Sequence, residues 1–209
     1  ESKIMGPWIP LSGHLGNFIG QMTDEPIKAI NILFDGEASD MNLKALTAST
    51  IAGIMRRRNP DVNMVSAPVI AKDNGVKVST TKQDQSGAFE GYIKVTVVTD
   101  KRERSVAGTV FSDGKPRFIQ IKGINVDAEV GENMLYTTNK DVPGIIGKLG
   151  SILGDNGVNI ANFTLGRSSA KGEAIALLYV DEPVPAAAVK ALEESGHFQQ
   201  VKPLTFPAI

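Results

Sequence analysis

Apolar positions recur along this chain with two different periods, and the period switches mark its elements. Trp8, Leu11, Leu15, Phe18, Ile19 and Met22 follow three- and four-residue spacings, one apolar stripe on a helix that Pro26 must end. Ile27 to Phe34 is nearly continuously apolar and stops at Asp35-Gly36, which predicts a central strand buried on both faces. A second amphipathic helix is predicted from Asp40 to about Arg58, ending before Asn59-Pro60 with Arg56-Arg57-Arg58 as its tail. Asn63 to Asn74 predicts a short helix stopped by Asn74-Gly75, although Pro68 interrupts its pattern. After a polar loop from Gln83 to Gly87 the period becomes two. Tyr92 to Val98, Arg104 to Phe111 and Arg117 to Ile121, rich in Val, Ile, Thr and Phe, predict antiparallel strands. Ser112-Asp113-Gly114 joins the last two as a hairpin.

Gly123 and Gly131 punctuate the next stretch, and a domain boundary is expected near Gly131, dividing the chain into 1–130 and 131–209. Met134 to Thr138 then reads as a strand and Pro143 to Leu153 as a helix carrying Ile145, Ile146, Leu149, Ile152 and Leu153, stopped by Asn156-Gly157. Strand Val158 to Leu165, a loop through Ser168 to Gly172, strand Glu173 to Val180, helix Pro185 to Ser195 and strand Phe198 to Leu204 complete the chain. This is the order βαββαβ, the ferredoxin-like arrangement with both helices on one face of an antiparallel sheet. The expected class is α+β: a first α/β domain with a mostly antiparallel sheet, then a ferredoxin-like domain.

Composition narrows the function classes. The 209 residues are 42% hydrophobic and 22% charged, as in ordinary globular proteins, and no apolar run approaches the ~20 residues a bilayer span needs. Lys+Arg 22 against Asp+Glu 23 give a formal net charge of -1, so no global field draws the chain to nucleic acid or an anionic membrane. There is no cysteine, which excludes disulfides, thiolate metal sites and cysteine nucleophiles and fits cytoplasmic residence. The segment from Glu1 to Pro10 lacks the basic and apolar regions of a signal peptide and starts abruptly, as a fragment would.

No catalytic constellation is visible. No G-x-G-x-x-G follows a strand, no G-x-x-x-x-G-K-[ST] occurs, no metal-ligand cluster stands out, and His14 and His197 lie at opposite ends of the chain. The informative segment is Asn139-Lys140-Asp141-Val142-Pro143-Gly144, between a strand and a helix. Asp141 can cap that helix, Pro143 has its φ preset for the first turn, and free first-turn N–H groups could hold a carboxylate. A small zwitterion fits such a turn, its ammonium meeting Asp141. Gly144, Gly147, Gly150 and Gly154 each cost a helix interior about 1 kcal/mol relative to Ala, which points to a close approach. Taken residue by residue, a plain capped turn with glycines that only permit helix-on-sheet packing serves equally well.

Asp141-Val142-Pro143-Gly144, with Asn159-Ile160 eighteen residues after the Asp in a Gly157-Val158-Asn159-Ile160 turn, resembles the ACT domain, a ligand-binding module of amino-acid metabolism. From Gly6-Pro7-Trp8-Ile9-Pro10-Leu11 through Ala67-Pro68-Val69-Ile70-Ala71 to the C-terminus, nearly the whole chain resembles the long bacterial type of D-3-phosphoglycerate dehydrogenase downstream of its catalytic and nucleotide-binding domains. The resemblance implies an intervening, or allosteric substrate-binding, domain over 1–130 with an N-terminal connecting helix, and an ACT domain over 131–209. In that family the intact enzyme oxidises 3-phosphoglycerate with NAD towards L-serine, and L-serine binds between paired ACT domains to inhibit it. By motif position the serine contacts fall on Asn139, Asp141 and Asn159, with backbone amides from Gly144 and Ile145. This chain is then expected to be a sensor without catalysis, NAD or metal of its own, self-associating through its ACT domains, as a dimer. In the first domain Arg117 matches one basic contact of an anion site. Two further arginines of that site in some members fall on Glu129 and Tyr179, which removes two positive charges, adds a negative one and argues against the site. Arg56, Arg57, Arg58, Arg102 and Arg104 could form a substitute patch, although such runs are more often solvated faces.

Two other classes share features with this reading. An RNA-recognition motif has the same βαββαβ order but needs stacking aromatics on its central strands, and Glu173 to Val180 offers only Tyr179. The accessory half of an iron–sulfur L-serine dehydratase also combines a similar intervening domain with an ACT domain. The helix from Pro7 to Met22 favours the dehydrogenase, where it resembles the segment following the catalytic domain.

Overall fold

A computed structural model of the chain describes residues 5–85 and 87–208. The described residues form two compact units, one ending at Gly123 and the other spanning Ile124–Ala208.

The first unit begins with the expected helix, α1 (Trp8–Met22), whose apolar stripe is fully buried. Strand β1 (Ile27–Gly36) follows, then a 3₁₀ turn (Glu37–Asp40) and helix α2 (Leu43–Met55). The turn is separate because Asn42 caps α2, accepting from the Ala45 N–H at 3.1 Å, so the helix starts after the expected Asp40. Helix α3 (Ala67–Asp73) places Pro68 in its first turn, where a missing N–H costs nothing. Strands β2 (Lys77–Gln83), β3 (Gly91–Thr99), β4 (Glu103–Val110) and β5 (Pro116–Ile121) join β1 in a sheet whose order within this unit is β2-β1-β3-β4-β5. Strand β2 runs parallel to β1, and the other neighbours are antiparallel.

Strand β1 has neighbours on both sides but is not buried on both faces. Ile30, Ile32 and Phe34 point into the core, while Lys28 and Asn31 are exposed. Sequence periodicity does not predict β2, because its residues are nearly all polar and exposed and its order comes from backbone bonding to β1. The expected loop starts only after Gln83, and Ser86 lies outside the described residues. Helices α1 and α2 pack backbone to backbone. A Cβ on Gly16 would stand 2.1 Å from the Thr50 carbonyl oxygen, and one on Gly53 2.4 Å from that of Gly13.

The second unit opens with strand β6 (Ile124–Glu129), also not predicted, which packs against β8 (Ile160–Arg167). The Thr164 hydroxyl donates to the Asp127 carbonyl at 2.8 Å. A Cβ on Gly166 would stand 2.7 Å from the Asn125 carbonyl oxygen, so only glycine admits β6 there. The remaining elements are β7 (Asn133–Lys140), α4 (Ile145–Asp155), β9 (Glu173–Val180), α5 (Ala186–Glu194) and β10 (Gln200–Thr205). Strands β7 to β10 form an antiparallel sheet in the order β10-β7-β9-β8. Leu149 and Leu153 of α4 join Ala188 and Leu192 of α5 in one core with Leu135 and Leu178, so both helices cover the same face. The chain therefore has the expected α+β class, ending in a ferredoxin-like βαββαβ fold.

Candidate functional site

Strand β7 sets the site by running through the middle of its sheet and ending at Asn139 and Lys140, opposite Ala174 and Glu173 of β9. Asn139 shares the inward face of β7 with Leu135 and is only 5% exposed. Its Nδ2 donates to the Lys140 carbonyl at 2.7 Å, which leaves Oδ1 to accept. The chain then turns through Asp141 to Gly144, whose φ of +90° makes it the N-cap of α4 in a region that favours glycine.

Asp141 does not cap that helix. Its N–H donates to the Gly172 carbonyl at 2.8 Å, and its Oδ2 accepts from Arg167 Nη1 at 3.0 Å and from the Lys171 N–H at 3.2 Å. Lys171, at a φ of +62°, turns this N–H inward from the β8–β9 hairpin. The Arg167 guanidinium, and then the Lys171 N–H, hold the Asp141 carboxyl below the usual carboxylate range. Pro143 precedes the N-cap instead of occupying the first turn, so α4 begins at Ile145, with no side-chain cap. Its first-turn N–H groups have no intrahelical acceptor and face the end of the turn. Asn139, Asp141, Gly144 and Ile145 are thus brought together.

Asn159 is not among them. It precedes β8, whose other end, Arg167, reaches Asp141, a separation of about 25 Å at the usual strand rise. Asn159 Nδ2 donates to Asp181 Oδ2 at 2.6 Å, and the Asp181 N–H donates back to the Asn159 carbonyl at 3.2 Å. A cleft of about 150 Å³ lies beside this pair, lined by Asn159, Asp181, Glu182, Pro183 and Pro185 among others. The outer face of α4 is open: a Cβ on Gly147, Gly150 or Gly154 would meet nothing within 4 Å. Val142, Ile146 and Leu165 nearby are exposed by 44%, 51% and 40%. Sequence reasoning missed Arg167, Lys171 and Asp181, because what ties them to the site is hairpin register and no motif spacing.

Among known proteins, residues 4–122 match the family described as the D-3-phosphoglycerate dehydrogenase intervening domain. The chain belongs to that family. Residues 134–197 match the ACT domain, a span that contains Asn139, Asp141, Gly144, Ile145 and Asn159. The D-3-phosphoglycerate dehydrogenase of Bacillus subtilis (strain 168) is 29% identical over 202 residues, covering 96% of this chain and 38% of that protein. The enzyme of the same name from Synechocystis sp. is 31% identical over 181 residues, 86% of this chain and 33% of the relative. That of Methanocaldococcus jannaschii is 28% identical over 201 residues, 93% of this chain and 37% of the relative. The chain thus spans about a third of the length of these relatives, whose names describe an oxidoreductase.

Within the intervening domain Arg117 is 17% exposed, 3.7 Å from Asp113 and 4.9 Å over the Phe111 ring. Tyr179, in the other unit, lays its ring against Gly131. Four of the arginines of the suggested patch, Arg57, Arg58, Arg102 and Arg104, are occupied around one turn. Arg57 binds Asp24 at 2.8 Å and the Gln21 carbonyl at 3.0 Å, and Arg58 donates to the Thr23 and Glu25 carbonyls. Arg102 and Arg104 both reach Glu25, at 3.3 and 3.0 Å. They clamp the turn between α1 and β1. Among the described residues no group of three or more His, Asp or Glu could hold a metal, and no helix is long and apolar enough to cross a membrane.

Proposed function

We propose that this chain is the regulatory part of a bacterial D-3-phosphoglycerate dehydrogenase, with its intervening domain over 1–130 and its ACT domain over 131–209, and that it binds L-serine between two copies of itself. The observation that carries the reading is the separation of the site residues along β8. That strand is the edge of its sheet, and antiparallel pairing with its own copy about the midpoint between Phe163 and Thr164 would set Ile160 opposite Arg167. Asn159 of one copy then comes beside the Asp141 and Arg167 of the other, twice by symmetry. Val142, Ile146 and Leu165 lose their exposure, and the open glycine face of α4 accepts the second copy's helix.

The chemistry of the turn suits an α-amino acid. Its carboxylate meets the first-turn N–H groups at Gly144 and Ile145, and its ammonium meets the oxygens of Asn139, Asp141 and Asn159. Inhibition of the intact enzyme follows if L-serine binds the less active arrangement more tightly. Oxidation of 3-phosphoglycerate with NAD belongs to the remainder of the longer polypeptide. NAD does not fit the β1–α2 turn of this chain, where Glu37 and Asp40 stand in place of a glycine-rich cradle. The whole enzyme would work in the cytoplasm. An anion at Arg117 would have to replace Asp113 as counterion, so Asp113→Asn should tighten phosphate binding if that site is used.

Isothermal titration calorimetry with L-serine, against glycine, L-alanine and D-serine, tests the proposal. Saturable, stereoselective heat is expected, with a stabilisation of about 2.7 kcal/mol at a hundredfold excess over Kd. A folded, dimeric chain that gives no heat with L-serine would remove the serine site.

A further inference from the structure

The side chains of the site have their hydrogen-bonding polarity fixed before any ligand arrives. Asn139 spends its Nδ2 on the Lys140 carbonyl. Asp141 takes both Arg167 and the Lys171 N–H on Oδ2, which leaves Oδ1. Asn159 spends its Nδ2 on Asp181. Each of the three keeps an acceptor oxygen, and at the two asparagines the bond fixes which way the amide is turned, with Oδ1 opposite the bonded Nδ2. At Asn139 and Asp141 the fixing groups are neighbours in the same turn and hairpin. At Asn159 the task falls to one side chain, Asp181, from the far end of β9.

We propose that Asp181 is a positioning residue that determines the specificity of this site. It accepts from Asn159 Nδ2 and so turns Oδ1 of the amide towards the ligand, making the site demand a protonated amine. The inference rests on the proposed pairing along β8. An amide is nearly symmetrical in shape, and without Asp181 it can rotate by 180° about its last torsion and present its NH₂ instead. A flipped Asn159 would oppose an ammonium and welcome a hydroxyl or carboxylate oxygen. The site with Asp181 therefore discriminates between an amino acid and the hydroxy acid of the same shape. That distinction matters for a sensor in a protein whose relatives are named for a phosphorylated hydroxy acid. The Asp181 N–H also bonds to the Asn159 carbonyl, so the backbone holds the two side chains in register whatever occupies position 181.

The test compares Asp181→Ala and Asp181→Asn in the 209-residue chain, by calorimetry with L-serine and with glycerate of matching configuration. Asp181→Asn keeps an oxygen that accepts from Asn159 Nδ2, whereas Asp181→Ala keeps none. The expected result is a five- to tenfold weaker Kd for L-serine with Asp181→Ala, a preference over glycerate reduced by at least as much, and near-wild-type values with Asp181→Asn. Unchanged binding in both variants would overturn the inference. An equal loss in both would overturn it too, because the carboxylate charge itself would then be acting on the ligand. L-serine binding to the wild-type chain separates this failure from that of the proposed function: without it both readings fall together.

Discussion

His14 sits almost wholly buried on α1, and its pKa is pushed down to about 4, first by burial and then by the positive charge of Arg56. An unfolded chain takes up this proton near pH 6.5 and the folded chain near 4, so the unfolded state binds more protons between those values. Stability contributed by neutral His14 is thus present above pH 6.5 and is lost as the pH falls towards 4, by roughly 3 kcal/mol in all. Urea denaturation of wild type and His14→Gln from pH 7 to 4 should show a shallower decline in the variant. Glu25 acts in a lower window. Hydrogen bonding from Arg104 is the main cause holding its pKa to about 2, so its contribution is intact above pH 4.5 and fades as the pH falls towards 2. Asn159 is the residue on which the binding proposal turns. We expect Asn159→Ala to weaken L-serine binding by roughly 1 to 3 kcal/mol in calorimetry, the cost of leaving a ligand donor unmet. An unchanged Kd would take Asn159 out of the site.

At the scale of elements, helix glycines stand in opposite surroundings. Gly16 and Gly53 let α1 and α2 touch backbone to backbone, and a Cβ there would meet carbonyl oxygens that cannot retreat. Ala at Gly16 normally favours a helix by up to about 1 kcal/mol, but here overpacking should outweigh that, with a net loss of about 1 to 3 kcal/mol in denaturant unfolding. Gly150 of α4 meets nothing, so Gly150→Ala should stabilise the isolated fold by up to about 1 kcal/mol while weakening self-association, if a second copy's helix lies on that face. A stripe of glycines in a sequence announces close approach without saying to what. The same limit governs the rest of the fold. Elements with an apolar face, such as α1, β3 and α4, were legible because burial writes a period into the sequence. Strand β2 carries no such period, and β6 lies between two glycines that read as punctuation. In the site, the turn and its asparagine were legible as a motif. The role of Asp141 was not, because a capping aspartate and one held by a distant hairpin look alike until Arg167 and Lys171 are in place.

For the whole molecule, the question is whether one copy suffices. The fold places Asn159 at one end of the edge strand β8 and Asp141, through Arg167, at the other, and no internal motion of a four-stranded sheet brings those ends together. The proposed pairing along β8 would do so without rearrangement, and it would also cover Leu165 and Ile146, both exposed in the single chain. On the proposed pairing, binding and self-association are coupled, and L-serine should tighten the dimer by mass action. A charge on the shared edge separates the two functions from folding. Leu165→Lys leaves the side chain free to reach solvent in a single copy but buries an unpaired ammonium in the pair. Sedimentation velocity should show the variant as a monomer at concentrations where the wild type is dimeric, and calorimetry should show no L-serine heat although far-ultraviolet circular dichroism is unchanged. A variant that remains dimeric would place the interface elsewhere, and a monomer that still binds L-serine with wild-type affinity would mean that Asn159 and Asp141 never share a ligand.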